Sequence, residues 1–251
     1  MTAIVVPSGR LSSLGHLQSV GDASTAETLL DYSPVSLFED FTGPGNAVPA
    51  AGSAAVGYPW VKKIVGGAPP TVAVVANAAG GVMACTLTAT SEKQDAALYS
   101  DDALNFDMTK SAWIEFRLAN QVLPTGNAQF VFGLQSAWID GPDNASFYAQ
   151  FSQSASGLVN LRTKDGTTTA SVSSGVTMVA GAYRVFRIDS TDPTHVRFFI
   201  DGAEVSNGTA FSFAATGASA ILQPYVSAYK ASGTGVGTVY IDRIAVGAKR
   251  S

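Results

Sequence analysis

Glu115 stands in the run Ser111–Arg117, "SAWIEFR", as a lone acid among aromatics on a stretch with strand character. A retaining glycosidase needs two carboxyl groups roughly 5–5.5 Å apart, a spacing that same-face neighbours on one strand supply. Alternation puts Ile114, Phe116 and Leu118 on one face and Trp113, Glu115 and Arg117 on the other. The neighbours of Glu115 are therefore a tryptophan and an arginine, not a second acid. An arginine beside the glutamate favours the ionised carboxylate and lowers its pKa, the wrong direction for a general acid. The strand is expected to carry an ion pair between Glu115 and Arg117 and no catalytic residue. A second carboxylate arriving from a different strand is the remaining route to a sugar-cleaving site.

Other reactive types are sparse. The two histidines, His16 and His195, lie far apart in sequence, so a nucleophile with a histidine base would have to be assembled by the fold. The single cysteine, Cys85, sits in "GVMACTLTA" on one face with Met83 and Leu87; it has no partner for a disulfide and reads as a small core hydrophobe. No C-x-x-C, H-E-x-x-H or phosphate-binding glycine loop is present. Acidic clusters occur at Asp101, Asp102, Asn105 and Asp107 and again at Asp140, Asp143 and Asn144. Either could give calcium several of the six to eight oxygens it takes, yet neither has the spacing of a defined calcium loop, and Asp and Asn beside Gly and Pro also stabilise ordinary turns. No metal or other cofactor is expected. Trp60, Trp113, Trp138 and Tyr148 supply flat apolar surfaces that stack on a sugar, fill a core or anchor a subunit contact. The candidate surface or ligand face is Trp113, Glu115, Arg117, Trp138 and Tyr148.

The elements that must position these residues are strands. Of the 251 residues 46% are hydrophobic and 14% charged, and Gly, Ala, Ser, Thr and Val abound, a mix that favours strands and tight turns. Period-two alternation recurs from residue 35 onward. Phe130, Phe132 and Leu134 alternate with Val131, Gly133 and Gln135; Phe147, Ala149 and Phe151 alternate with Tyr148 and Gln150. Further runs set Phe186 and Ile188 against Val185 and Arg187, and Tyr240, Asp242 and Ile244 against Val239, Ile241 and Arg243. Asp201-Gly202 and Asp165-Gly166 each separate two such runs and predict hairpins. About a dozen antiparallel strands must hide two apolar faces, and two sheets packed face to face do so. The expected architecture is all-β, an antiparallel two-sheet jelly-roll sandwich over residues 35–251 with an N-terminal arm or extension over residues 1–34. Ser24 and Glu27 stand at capping-box spacing before Leu29 and Leu30, which predicts a short helix inside that extension. The arm is either a disordered tail or a segment that orders on a neighbouring subunit.

Charge narrows the partners. Fifteen Lys+Arg against 19 Asp+Glu give a net charge of −4, with no basic surplus to neutralise phosphates, so neither nucleic acid nor a charged membrane surface is an expected partner. The opening "MTAIVVPSGR" lacks the basic start and long apolar run of a signal peptide, which sets the expectation of a protein made in a cytoplasm.

In order along the chain, "LFEDF", "YSDDALNFDMTKSAWIEFRL", "FVFGLQSA" with "ASFYAQF", "YRVFRID" with "VRFFIDGAEV", and "GTVYIDRIAV" resemble concanavalin A-like, or laminin-G-like, jelly rolls. More narrowly they resemble the versions found as structural proteins of tailed bacteriophage particles. The resemblance implies a non-enzymatic virion protein, a capsid decoration or cement protein. It would be made in the host cytoplasm, sit on the capsid surface as a homotrimer, bind the major capsid protein and stabilise the head. On that reading the aromatics serve an interface. The lectin members of this sandwich class hold glycans on a concave sheet face, so the alternative is a carbohydrate-binding, lectin-like module for host or glycan recognition. The E-x-D-x-E pattern of jelly-roll glucanases is absent around Glu115, and no enzyme is expected.

Overall fold

The computed structural model describes residues 10–11, 17–18, 35–42, 48–52 and 59–249. The expected helix around Ser24–Leu30 and most of the 1–34 extension, His16 included, lie outside the described residues. Within that extension a two-residue antiparallel ladder pairs β1 (Arg10–Leu11) with β2 (Leu17–Gln18).

The alternating runs form two eight-stranded sheets. One, here the strapped sheet, has the order β13 (Thr169–Thr177), β12 (Leu158–Asp165), β11 (Phe147–Gln153), β10 (Ala128–Gln135), β17 (Ile221–Lys230), β7 (Gln94–Tyr99) and β4 (Val61–Val65), with β8 (Phe106–Asp107) also on β17. The second, here the open sheet, runs β16 (Ala203–Glu204), β15 (Arg197–Ile200), β14 (Tyr183–Ser190), β9 (Ala112–Val122), β18 (Gly237–Ala248), β6 (Met83–Leu87) and β5 (Thr71–Val74), with β3 (Val35–Glu39) also on β18. Neighbouring strands pair antiparallel, and the sheets stack as the expected jelly-roll sandwich.

Inward phenylalanines join the two layers. Phe132 of β10 meets Phe116 of β9 at 5.6 Å, Phe186 of β14 at 4.9 Å and Phe151 of β11 at 5.3 Å between ring centroids. Phe151 continues to Phe198 at 5.2 Å, and Phe198 to Phe211 at 4.9 Å. Most of these contacts are edge-to-face, the arrangement aromatic quadrupoles prefer. Met83, Cys85 and Leu87 alternate into the same core, as expected, and Trp60 is fully buried, so it offers no surface for stacking on a ligand.

One phase departs from the sequence reading. On β18, Ile241 pairs with Leu118 and Ile244 with Phe116, so both isoleucines enter the core although they stand an odd number of residues apart. A bulge at Asp242 absorbs the extra residue and flips the alternation. It also places the charged Asp242 and Arg243 side by side beside β9. The two expected hairpins are present. Asp201 and Gly202, at φ 52° and 81°, make the two-residue turn between β15 and β16. Asp165-Gly166 opens a longer turn in which the Asp165 carboxylate accepts from the Thr167, Thr168 and Ala214 amides.

Candidate functional site

The five residues of the expected ligand face do not share a face. Trp113, Glu115 and Arg117 stand on the outer surface of the open sheet, while Tyr148 and Trp138 belong to the outer side of the strapped sheet, across the full thickness of the sandwich. Residue parity places a side chain in or out, but which sheet a strand joins depends on the crossovers.

On the open sheet, Glu115 takes a different partner from the one expected. Its Oε1 accepts from Arg243 Nη2 at 2.5 Å, and Arg117 pairs with Asp242 at 2.7 Å; both partners come from the β18 bulge. The Arg187 guanidinium lies 5.2 Å over the Trp113 ring and bonds Asp189 at 3.1 Å, and Arg117 lies 4.4 Å over Tyr183. Trp113 rests so close over Gly247 that a Cβ there would stand 3.0 Å from three indole atoms. This face is an interlocked lattice of arginines, acids and rings.

The centre of the strapped sheet's outer face is covered, while the outward residues of β12 and β13 stay half-exposed or exposed. Residues 136–146 leave β10 at Gln135 and return to β11 at Phe147, passing through a 3-10 turn at Pro142–Asn144. This strap is fastened at several points. Trp138 Nε1 donates to Asp95 Oδ2 at 3.1 Å, and the Trp138 amide donates to Asp102 Oδ1 at 2.6 Å. Asp140 pairs with Lys93, and Asp143 with Arg162, which also donates to the Tyr148 hydroxyl at 3.2 Å. Lys63 of β4 lies 4.8 Å over the Trp138 ring.

Beneath the strap is a polar floor. Gln135 (0% exposed), Gln150 (1%), Tyr148, Tyr225 and Asp95 point away from the core and are nonetheless buried. Gly133 lies between Gln150 and Tyr225 in register; a Cβ there would stand 2.3 Å from the Ala149 carbonyl oxygen, so that point of the floor carries no side chain. The amide oxygen and nitrogen of Gln135 and of Gln150 have no hydrogen-bond partner. Buried polar atoms are normally paired, and these four are not, nor is the hydroxyl of Tyr225. Gln223, by contrast, is fully engaged: it accepts from the Ser100 and Asp102 amides and donates to Asp102 Oδ1 and Ser136 O.

Asp95 is the floor's ionisable group. Burial pushes its carboxyl up to about 6, against the opposing pull of hydrogen bonds from Ser227 Oγ at 2.6 Å and Trp138 Nε1. Burial likewise raises Tyr225 and Tyr148, the latter countered by Arg162. Asp95 is thus an acid that keeps its proton in mildly acidic water, and with the strap over it no part of it is exposed. The two acidic clusters serve as fasteners: Asp101 accepts from the Gly52 amide, Asp107 from Thr109, and Asp102, Asp140 and Asp143 hold the strap. Among the described residues no three His, Cys, Asp or Glu side chains are grouped to hold a metal ion. His195 is exposed and bonds its own turn at Thr194 and Asp192.

Sequence reasoning passed over Asp95, Gln135, Gln150 and Tyr225. Gln135 and Gln150 did occupy outward positions of alternating strands, the one signal available. Asp95 lies in "QDAALY", where every residue is buried on one face or the other and alternation is lost.

The two stacked antiparallel sheets define a concanavalin-like jelly roll, the fold class shared with lectin, glucanase and lyase domains. No family model matches the chain, and comparison with curated proteins finds no match. Solved structures of similar fold include a protein of unknown function from Shewanella oneidensis MR-1, at 12% identity over 92% of this chain and 96% of that one, with a TM-score of 0.59. The Bacillus licheniformis β-glucanase is similar at 12% identity, over 86% of this chain and 98% of that one, with a TM-score of 0.53. The carbohydrate recognition domain of Emp47p is similar at 14% identity, over 81% and 95%, with a TM-score of 0.51. At such identities the likeness establishes the fold alone, which enzymes and lectins share.

Proposed function

We propose that this chain is a non-enzymatic structural protein of a tailed-phage particle, a decoration or cement protein. On this reading it is made in the host cytoplasm and docks on the capsid surface as a trimer against major capsid subunits. The observation that supports the reading is the strap: it covers the centre of one sheet face, and Glu115 on the opposite face is tied to Arg243, so among the described residues neither face presents an open pair of acids. Phe38 and Val179, 63% and 61% exposed, leave apolar surface for docking. Modest contacts suffice when a rigid shell multiplies them. Light scattering after size exclusion, with rebinding to stripped capsids, tests it. A trimer that rebinds supports decoration; a monomer that neither rebinds nor occurs in purified particles overturns it.

A second reading has its own observation. The unpartnered amides of Gln135 and Gln150 suit a hydroxyl-rich ligand, which supports a carbohydrate-binding module. Binding on a glycan array, lost in a Gln135→Leu, Gln150→Leu variant, is the expected result; an array without signal refutes it.

A further inference from the structure

The two ends of the sandwich differ in charge. At one end the strand registers bring together the connections β4 to β5 (residues 66–70), β9 to β10 (123–127), β11 to β12 (154–157), β13 to β14 (178–182) and β17 to β18 (231–236). None of the five holds a charged residue. Connections at the opposite end carry Asp101, Asp102, Lys110 and Asp192. Among the described residues, charges at the neutral end stand only at its flanks or beneath it. Glu92 and Lys93 lie to one side, Asp201 with its partner Arg184 to the other, and Lys230 is wholly buried on three carbonyls.

The same end holds three of the five large apolar side chains exposed among the described residues: Val179 at 61%, Val122 at 42% and Tyr183 at 36%. Tyr183 pairs with Ala119 across β14 and β9, and Gly181 N donates to Asn120 O at 2.8 Å, so the three stand on neighbouring segments. Arg117, which lies over the Tyr183 ring, is already paired with Asp242. Exposed apolar side chains in a surface depleted of charge are the composition of an interface centre.

The occupant that fits is a further copy of the chain. Each copy carries a net charge of −4, so copies repel as they approach. In a closed rotational assembly a residue near the axis faces its own image, and any charge there meets the same charge. An end without charge sits on such an axis free of that opposition. We propose that this end, centred on Val122, Val179 and Tyr183, is the surface through which copies of the chain meet around a rotation axis. The inference rests on the trimer of the proposed function and names where its copies touch. Phe38, on β3 beside the far end of β18, then stays free for the shell.

Sedimentation velocity on the full chain, in low and in high salt, tests the contact with two substitutions of opposite sign, Val179→Glu and Val179→Lys. Near an axis either sign meets itself, so both should raise the dissociation constant of the assembly by about 10-fold or more, with salt restoring part of the loss. An equimolar mixture of the two should assemble more tightly than either alone, because opposite charges then meet, and that rescue also shows both variants to be folded. Phe38→Glu and Ile139→Glu, away from this end, should leave assembly unchanged. A wild type that stays monomeric, a Val179 charge without effect, one sign that strengthens assembly, or a mixture without rescue overturns the proposal. Capsid rebinding is read separately: an assembled wild type that ignores capsids sinks the decoration reading and leaves this contact standing, and a monomer that rebinds does the reverse.

Discussion

Lys230 ends β17 with no exposed surface, and its ammonium donates to three carbonyls: Thr88 at 2.6 Å, Thr90 at 2.7 Å and Gly235 at 3.1 Å. The first two belong to the turn from β6 to β7, the third to the turn from β17 to β18, so one charge clamps two turns at one end of the sandwich. Lys230→Met keeps the length and removes the donor. Each orphaned carbonyl costs about 1–3 kcal/mol, and relief of the ammonium's own desolvation offsets part of the sum. The net loss is about 3–5 kcal/mol, the cost of three unsatisfied carbonyls less that relief. With a urea slope of roughly 3 kcal/mol/M for a chain of this size, the unfolding midpoint should fall by about 1–1.7 M with the slope unchanged. A fall under about 0.3 M would mean that water or backbone satisfies these carbonyls without help, and the clamp argument would be refuted.

Phe132→Ala removes the ring that joins four others directly or through Phe151, and should cost about 3–5 kcal/mol, read by calorimetry as a Tm lowered by roughly 10 °C. Glu115 and Arg243 should show a coupling of about 0.5–1 kcal/mol in a double-mutant cycle, shrinking in high salt, whereas Glu115 with Arg117 should show less. Asp95→Asn should remove a pH dependence of stability. The folded pKa is raised above the unfolded one, so the contribution of Asp95 is fully present below about pH 4 and is lost as pH rises through 6. That loss is at most about 3 kcal/mol, and denaturant midpoints of the two proteins should converge in acid.

The sandwich was legible because its phenylalanines alternate: on β10, β11, β14 and β15 the inward residues are those the period of two picks out. The Asp201-Gly202 turn was legible because few other pairs accept positive φ at both positions. The β18 bulge was not, since a doubled polar residue in a strand has no signature that separates a bulge from a slip in register. Its effect is large: it brings Arg243, not Arg117, onto Glu115. Nor could the strap be seen. Trp138 finds Asp95 across 43 residues of sequence, and "AWIDGPDN" offers only turn chemistry to a reader of the chain. Trp113 and Tyr148 present the same outward signal, and only strand order separates them by the thickness of a domain.

Cys85, wedged between β5 and β18 and shielded from solvent, is the chain's one sulfhydryl. A thiol reagent can mark it only during the moments when neighbouring strands part. The protein therefore carries its own stopwatch: the rate of labelling in native buffer times how often the sandwich breathes, with no dye, tag or engineered probe.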